Sequence, residues 1–168
     1  MNQLSSDIYD ILKRLARSQR SRIWSKKSLG TRSIVHEAYM RLVEASDSTP
    51  DEKQFMLQAS KAMRSVLVDN ARHWHRQKRG ADQFDVSIDS LQLVSAHRTD
   101  ELIELDKALS LLEASHSRLA DVVECRVFGG LSIEETAAAL GTSPATVKRD
   151  WAAAKAVLYD HLVEDDDD

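Results

Sequence analysis

The sequence predicts an all-α protein of two small helical domains joined by an acidic linker, the C-terminal domain being a helix-turn-helix. Three observations carry this prediction: scarce helix breakers, apolar residues at helical spacing, and a pair of capped helices near the C-terminus. The 168 residues include 5 Gly and 2 Pro, with 42% hydrophobic and only 5% aromatic side chains. This balance is typical of a helical protein and disfavours a β sandwich.

The same composition excludes several classes of protein. The 5 glycines do not form G-x-G-x-x-G or G-x-x-x-x-G-K, so phosphate-binding loops of these kinds are excluded. Cys125 is the only cysteine, which excludes an intrachain disulfide and a zinc site built from cysteines. No signal peptide and no run of about 20 apolar residues is present. We therefore expect a cytoplasmic protein with no membrane contact and no cofactor.

Apolar residues recur at helical spacing in the N-terminal half. An early helix is predicted over residues 8–22, and a loop containing Pro50 over residues 46–52. Two amphipathic helices are predicted on either side of this loop. Their apolar residues are Ile34, Val35, Ala38, Tyr39, Leu42 and Val43 in the first, and Ala59, Ala62, Met63, Val66 and Leu67 in the second.

The periodicity is lost where the charge reverses, and this point sets the domain boundaries. We predict a domain over residues 1–80, a linker over 81–103, a domain over 104–162 and an acidic tail over 163–168. Val86, Ile88, Leu91 and Leu93 are expected in extended conformation within the linker, because a single strand has no partner elsewhere. The tail is predicted to be solvated, with shielding of basic residues as the alternative.

Charge is segregated along the chain although the net charge is only −4. Residues 11–36 carry eight bases and no acid, and residues 61–79 carry six bases and one acid. Residues 82–106 carry seven acids and one base. The basic segments predict surfaces that attract a polyanion.

A capped pair of helices is the sharpest local signal. Ser132 precedes Glu135 by three residues, a capping box that satisfies exposed amides at a helix start. Gly141 supplies a turn, Ser143 caps the next helix, and Pro144 occupies its first position. These features predict a helix-turn-helix, whose second helix enters the DNA major groove. A plain helical hairpin is the alternative, since the caps serve either structure.

The second helix of this pair has an inward and an outward side. The inward stripe is predicted to be Val147, Trp151, Ala154 and Leu158. The outward residues have the chemistry of contacts to phosphates and base edges. These candidate DNA-binding residues are Thr146, Lys148, Arg149, Ala152 and Lys155.

Three segments resemble bacterial RNA polymerase sigma factors of the extracytoplasmic-function (ECF) type. "FGGLSIEETAAALGTSPATVKRDW" is similar to the domain that reads the upstream promoter element. "IVHEAYMRLVE" looks like the helix that engages the clamp helices of the largest polymerase subunit, and "FMLQASKAMRSVLVDNARHWHRQKRG" like the helix that reads and melts the start-proximal element. The resemblance implies a transcription initiation factor with core RNA polymerase and promoter DNA as partners.

The resemblance also assigns residues to these roles. It implies polymerase binding by Val35, Glu37, Ala38, Tyr39, Arg41 and Leu42, of which Val35, Ala38 and Leu42 are better explained as core. It places on the start-proximal DNA face Lys61, Arg64, Ser65, Asn70 and Arg72. Trp74 has the chemistry to stack on an unpaired base, or to pack at a helix end.

One segment departs from the family pattern. Many relatives have acidic residues just before the clamp-binding helix, where this chain has Thr31 and Ser33. Phosphorylation by a Ser/Thr kinase would restore that charge at a helix N-terminus. The simpler alternative is that Ser33 caps the helix. Regulation by an anti-sigma protein is left open by the sequence.

Two other classes of protein compete with this interpretation. An enzyme would have to use His73 and His75, His36 and Glu37, or Cys125, but alternate residues on a helix diverge and a thiol among apolar neighbours is inert. We therefore expect no enzyme. A stand-alone helix-turn-helix regulator is the main alternative, but it leaves residues 34–80 unexplained. A protein-only adaptor is the third candidate, and a requirement for polymerase in DNA binding discriminates among them.

Overall fold

The computed structural model describes residues 10, 12–15, 31–45, 52–80 and 90–164, and none of these residues lies in a strand. The all-α prediction is confirmed. The helical residues 10 and 12–15 are called α1. The elements that follow are α2 (Thr31–Ala45), α3 (Glu52–Gly80), α4 (Ser90–Ser115), α5 (Ser117–Val123), a π-helical turn (Glu124–Phe128), α6 (Ile133–Leu140) and α7 (Pro144–Glu164).

Helices α2 and α3 pack together through the apolar positions that the sequence predicts. α2 buries Ile34, Val35, Ala38 and Leu42, and α3 buries Ala59, Met63, Val66 and Leu67. Val43 is an exception, because it was grouped with the apolar stripe of α2 and is 49% exposed.

Helix α4 corrects the predicted linker. Residues 90–103 are helical, so the extended conformation expected at Leu91 and Leu93 is wrong. Neither Gly nor Pro interrupts the chain between Ser90 and Ser115, and Leu102, Leu109 and Leu112 are buried along the helix. An apolar face of this length stabilises a helix despite the local acidic charge. The rest of the linker, residues 81–89, and the tail beyond residue 164 lie outside the described residues.

The larger of two apolar clusters among the described residues contains side chains from both predicted domains. It runs from Leu12 and Leu15 in α1 through α2 and α3 to Leu109 and Leu112 in α4, and on into α7. The domain boundaries stay a prediction. What the structure adds is that α3 contacts α4, the π-helical turn and α6, so the two halves of the chain pack against each other.

Gly129 lies close to α3. It is buried directly after the π-helical turn. A Cβ atom at this position would clash with the Ser60 hydroxyl of α3 and lie 2.6 Å from the Cys125 carbonyl oxygen. A side chain is therefore incompatible with the spacing between α3 and this turn.

Candidate polymerase and nucleic-acid interfaces

The α6–α7 pair has the caps that its sequence predicts. Ser132 Oγ accepts a hydrogen bond from the Glu135 amide at 3.0 Å, while Glu135 Oε2 accepts one from the Ser132 amide at 2.8 Å. Gly141 ends α6 in the left-handed conformation, with φ of 64°. Ser143 Oγ accepts from the Thr146 amide at 3.2 Å, and Pro144 is the first residue of α7. The local geometry of both helix starts is thus confirmed.

The inward side of α7 is also confirmed. Val147, Ala154 and Leu158 are buried, and Trp151 is half-buried. Val147 packs in a small cluster with Ala137 of α6 and Val122 of α5. The small side chain of Ala137 lets α6 approach α7 at this contact. This packing fixes which side of α7 is turned outward.

The outward side of α7 presents a continuous exposed surface, here called the α7 face. Its residues are Lys148 and those that follow it by one, four and seven positions, Arg149, Ala152 and Lys155, and all four are exposed. Lys155 Nζ lies 5.4 Å from the centre of the Trp151 ring, a cation–π distance. Thr146 is half-buried, and its hydroxyl lies 2.9 Å from Ser143 Oγ in the helix cap. The structure therefore brings four of the five predicted residues onto one face.

The side chains of Arg126 and Arg118 contact α7 residues, and these contacts were not predicted from the sequence. Arg126 donates to the Leu131 carbonyl oxygen at 2.5 Å, and its guanidinium lies 5.4 Å from the Trp151 ring centre. Asp150 is buried in α7 and accepts from Arg118 at 2.8 Å. The Arg118–Asp150 partners are 32 residues apart, so no spacing rule connects them.

Helix α2 divides the predicted polymerase-binding residues into two groups. Val35, Ala38 and Leu42 are buried in the core. Glu37 is exposed and Tyr39 is half-buried. The buried group serves folding, so a partner of α2 is left with the outward residues.

Arg41 links α2 to α3 instead of extending into solvent. Its guanidinium pairs with Glu37 at 2.7 Å and with Asp69 at 2.8 Å, and donates to the Ser65 hydroxyl. Burial opposes the charge of Arg41, but hydrogen bonds to Asp69 and Glu37 outweigh it and raise the pKa. Ser65 is therefore engaged with Arg41 as well.

Met40 and Val43 are exposed apolar residues that the sequence analysis did not single out for binding. They are 43% and 49% exposed. The spacing 37, 40, 43 places them with Glu37 on the side of α2 opposite the core, and this group is called the α2 outer face. A helical wheel centred on the buried residues would have found it.

The predicted start-proximal cations on α3 are held by carboxylates of the C-terminal half. Lys61 Nζ lies 3.4 Å from Glu113 and 3.2 Å from Asp121. Arg64 pairs with Asp106 at 2.8 Å and with Glu124 at 2.5 Å. These partners come from α4, α5 and the π-helical turn.

Arg72 completes this surface. Its guanidinium pairs with the second carboxylate oxygen of Asp106 at 2.8 Å. We call Lys61, Arg64 and Arg72 together the α3 basic face, and Asp106, Glu113, Asp121 and Glu124 the acidic row. The structure brings the three cations together, but against this row.

Burial gives the Arg64–Glu124 pair unusual electrostatics. Burial raises the pKa of Glu124, and the charge of Arg64 only partly offsets this. Burial also opposes the charge of Arg64, but the ion pairs with Glu124 and Asp106 dominate and raise its pKa. Glu124 Oε2 is buried without a hydrogen-bond partner. The pair is costly to form and more costly to break.

Asn70 does not join the α3 basic face. It lies five residues from Ser65, a net rotation of about 140° around the helix axis, and about half a helix circumference from Lys61 and Arg72. Its Oδ1 atom is buried without a hydrogen-bond partner. The side chain of Trp74 lies outside the described residues.

One comparison with known proteins finds a match. The sequence model of the ECF sigma factor family matches residues 1–164. The chain belongs to the ECF sigma factor family. No curated protein and no solved structure matches it. Family membership gives a role in transcription initiation, with core RNA polymerase and promoter DNA as partners.

The start of α2 in this ECF sigma factor corrects one expectation. The helix begins at Thr31, so Ser33 lies inside the first turn and is not the residue that caps it. Ser33 is exposed, whereas the side chain of Thr31 lies outside the described residues. A group added to Ser33 would therefore meet water and the positive end of the helix dipole.

Among the residues weighed for catalysis, Cys125 has the environment of a core residue in this ECF sigma factor. Cys125 is buried, and burial with the nearby Asp121 and Glu124 raises the pKa of its thiol to about 12. A thiol in this state is a poor nucleophile. Within the described ranges, no His, Cys, Asp and Glu side chains form a group of three or more that suits a metal. Within the same ranges, no helix has the apolar length that crossing a bilayer requires.

Proposed function

We propose that this ECF sigma factor reads the upstream promoter element with the α7 face and the start-proximal element with the α3 basic face. In this proposal the α2 outer face binds the clamp helices of the largest polymerase subunit, in the cytoplasm. One observation carries the proposal. The α7 face is exposed, while α7 is capped at its start and packed against the core along its inward side.

The α7 face has the chemistry that base-edge reading requires. Arg149 and Lys148 lie in the first two turns of α7, which are the turns that reach bases when such a helix enters the major groove. Arginine and lysine donate to the acceptor atoms of guanine, and each good contact gives about 1–3 kcal/mol of discrimination. Lys155 lies two turns further along and suits a phosphate. Ala152 between them leaves room for the DNA to approach.

The α2 outer face has the chemistry of a protein contact. It combines two exposed apolar side chains, Met40 and Val43, with the carboxylate of Glu37. Methionine adapts its shape to a partner and is enriched in interface cores, whereas a carboxylate such as that of Glu37 suits the polar rim. Arg41 holds this face in place through its ion pairs with α3 rather than by contacting the partner.

Polymerase co-elution is the test of the polymerase part. Wild type is run with bacterial core RNA polymerase on a sizing column, beside Val43→Asp and Leu111→Asp. Leu111→Asp is the matched control for Val43→Asp, because Leu111 is also an exposed apolar residue, 57% exposed, but lies on α4. We expect wild type and Leu111→Asp to co-elute and Val43→Asp to be lost. Co-elution of all three would contradict a contact through the α2 outer face, and no co-elution of the wild type would favour the stand-alone regulator.

Transcription from identified promoters is the test of the DNA part. Promoters are found by sequencing the RNA that the purified holoenzyme makes on genomic DNA. Lys148→Ala/Arg149→Ala should then lose about tenfold or more of this transcription while it still co-elutes with polymerase. The control is Lys107→Ala, an exposed lysine of α4. Equal transcription by both variants would remove the α7 face from promoter reading.

We also propose that phosphorylation of Ser33 or Thr31 by a Ser/Thr kinase strengthens polymerase binding. The support is the exposure of Ser33 in the first turn of α2, where a phosphate is stabilised by the helix dipole and adds negative charge near Glu37. Ser33→Asp should co-elute with polymerase at lower concentration than Ser33→Asn. Asparagine has the shape of aspartate without its negative charge, so this variant is the control. Equal co-elution of the two variants would contradict regulation of polymerase binding by phosphorylation.

A further inference from the structure

Two arginines that precede the α6–α7 pair contact α7 outside the α7 face. Arg118 lies in α5 and Arg126 in the π-helical turn. We infer that both are positioning residues, which fix the rotation of α7 about its own axis and thereby set how sharply Lys148 and Arg149 discriminate between promoter bases. This inference rests on the proposed reading of the upstream element by the α7 face.

Base reading depends closely on the rotation of α7. Side-chain atoms lie about 5–6 Å from the axis of an α-helix, so a rotation of about 20° moves them by about 2 Å. Hydrogen bonds to base edges form within a distance range of only about 0.5 Å. A small rotation would therefore weaken base contacts by Lys148 and Arg149, whereas contacts to phosphates carry no sequence information.

The apolar stripe of α7 decides which side of the helix faces inward, but it sets the angle only coarsely. Near the start of α7 the buried side chains are small, since Val147 packs in a cluster with Ala137 and Val122. Apolar burial has no preferred direction and depends on the area removed from water. A small rotation changes that area little, so directional contacts are needed to hold the angle.

The first directional contact is an ion pair on one flank of the stripe. Arg118 donates to Asp150 Oδ1 at 2.8 Å. Asp150 is the third residue after Val147, which places it about 60° to one side of the stripe. Its side chain is 9% exposed, and its Oδ2 atom is buried without a hydrogen-bond partner. The hydrogen bond from Arg118 therefore holds this carboxylate in one orientation.

The second directional contact lies on the opposite flank. Trp151 is the fourth residue after Val147, which places it about 40° to the other side of the stripe. The guanidinium of Arg126 lies 5.4 Å from the centre of the Trp151 ring and donates to the Leu131 carbonyl oxygen at 2.5 Å. Leu131 directly precedes the residue that caps α6, so Arg126 also connects α7 to the start of α6.

Contacts on both flanks resist rotation in both directions. Rotation of α7 one way lengthens the hydrogen bond from Arg118, and rotation the other way moves the Trp151 ring away from Arg126. Both arginines belong to the continuous helical segment formed by α5 and the π-helical turn. Arg118 acts from behind, because Asp150 lies about 160° around the helix from Ala152 of the α7 face.

Replacing the ion pair by apolar side chains is the first test. Arg118→Met/Asp150→Leu keeps similar volumes, and such a replacement of a buried charge together with its partner leaves stability unchanged or raises it. Arg118→Met alone leaves Asp150 buried and unpaired, so it should be less stable in urea unfolding. The matched control is Glu104→Leu/Lys107→Met, which removes an ion pair of 2.9 Å between two residues of α4.

The measured quantity is a discrimination ratio. It is transcription by the holoenzyme from an identified promoter, divided by transcription from the same promoter with one base pair of the upstream element changed. The base pair is one at which Lys148→Ala/Arg149→Ala no longer discriminates. We expect both Arg118 variants to lose about fivefold or more of the wild-type ratio, as for loss of one good base contact, and the control to keep it.

Stability and discrimination are expected to separate in this experiment. The double variant should be as stable as wild type and the single variant less stable, while both lose discrimination. A ratio that follows stability, or a double variant that keeps the wild-type ratio, would overturn the positioning role of Arg118.

Two substitutions of Trp151 test the other flank. Trp151→Phe keeps an aromatic face for Arg126, and Trp151→Leu removes it. Both variants alter the contact with Lys155, but a phosphate contact by Lys155 affects both promoters alike and cancels in the ratio. We expect Trp151→Phe to keep most of the wild-type ratio and Trp151→Leu to lose about threefold or more. Equal ratios for the two variants would overturn the positioning role of Arg126.

The proposed function and this inference fail in distinguishable ways. If Lys148→Ala/Arg149→Ala transcribes as well as wild type, the α7 face does not read the promoter and the proposed function is wrong. If that variant loses transcription while Arg118→Met/Asp150→Leu and Trp151→Leu keep the wild-type ratio, only the positioning role is wrong.

Discussion

The α3 basic face and the α7 face carry the same kinds of side chain at helical spacing, yet the structure treats them in opposite ways. Lys61, Arg64 and Arg72 are paired with carboxylates of another part of the chain. Lys148 and Arg149 are exposed, and the hydroxyl of Thr146 on the same helix is 3.5 Å from the Arg149 guanidinium. A basic helix face has the charge to bind an anion, but the neighbouring elements decide whether that charge is exposed or already paired within the chain.

The difference arises from which side of each helix the neighbouring elements cover. α3 contacts α2, α4, the π-helical turn and α6. α7 packs against α4, α5 and α6 through the stripe that includes Val147 and Ala154. Cations on a side that other elements cover are paired with carboxylates of those elements, whereas cations on the uncovered side of an amphipathic helix stay exposed.

The largest expected effect is a difference in the free energy of unfolding between two variants, Arg64→Ala on the α3 basic face and Arg149→Ala on the α7 face. Arg64→Ala leaves Glu124 buried and unpaired, which should lower the free energy of unfolding by about 3–5 kcal/mol. Arg149→Ala removes an exposed side chain and should change it by no more than about 0.5 kcal/mol. Urea unfolding followed by circular dichroism measures both.

A double variant controls this comparison. Arg64→Ala/Glu124→Gln removes the unpaired charge along with its partner, so most of the lost stability should return. If Arg64→Ala and Arg149→Ala destabilise equally, the contrast between the two faces is wrong.

Gly129→Ala should give the next largest effect, by separating α3 from the π-helical turn. The added methyl group overlaps the Ser60 hydroxyl and the Cys125 carbonyl oxygen, and overpacking of this kind costs about 1–3 kcal/mol. Ser60→Ala removes the nearer obstacle, so Gly129→Ala/Ser60→Ala should be more stable than the sum of the two single changes predicts. Purely additive effects in this mutant cycle would mean that the two elements do not meet at Ser60.

The smallest effect is a pH dependence centred on Glu124. Burial raises its pKa in the folded protein above the ordinary value of 4.5, although Arg64 opposes the shift. Stability from this group is therefore fully present below the unfolded pKa and is lost as pH rises through the folded pKa. Glu124→Gln does not titrate, so its melting temperature relative to wild type should increase from pH 4.5 towards neutrality. The control is Glu134→Gln, whose carboxylate is exposed; the same trend in both variants would contradict a role for burial.

Local features were predicted well because their causes lie within a few residues. The capping box at Ser132 and the left-handed turn at Gly141 depend on side chains and backbone angles inside one or two helical turns. The inward stripe of α7 follows from helical periodicity alone. The extended conformation predicted at Leu91 and Leu93 is wrong for the opposite reason: the local spacing of the linker's apolar residues suggests a strand, whereas the helix is stabilised by packing further along α4, at Leu102, Leu109 and Leu112.

The sequence by itself determined the helices, their caps, the segregation of charge and the resemblance that led to the family, because periodicity, capping and composition are local properties. Only the tertiary structure decided which cations remain available. The partners of Arg64 are 42 and 60 residues away, a separation at which no spacing rule operates, and their pairing depends on how α4 and the π-helical turn pack against α3. The free energy of a charge depends on what surrounds it, and those surroundings exist only after the chain has folded.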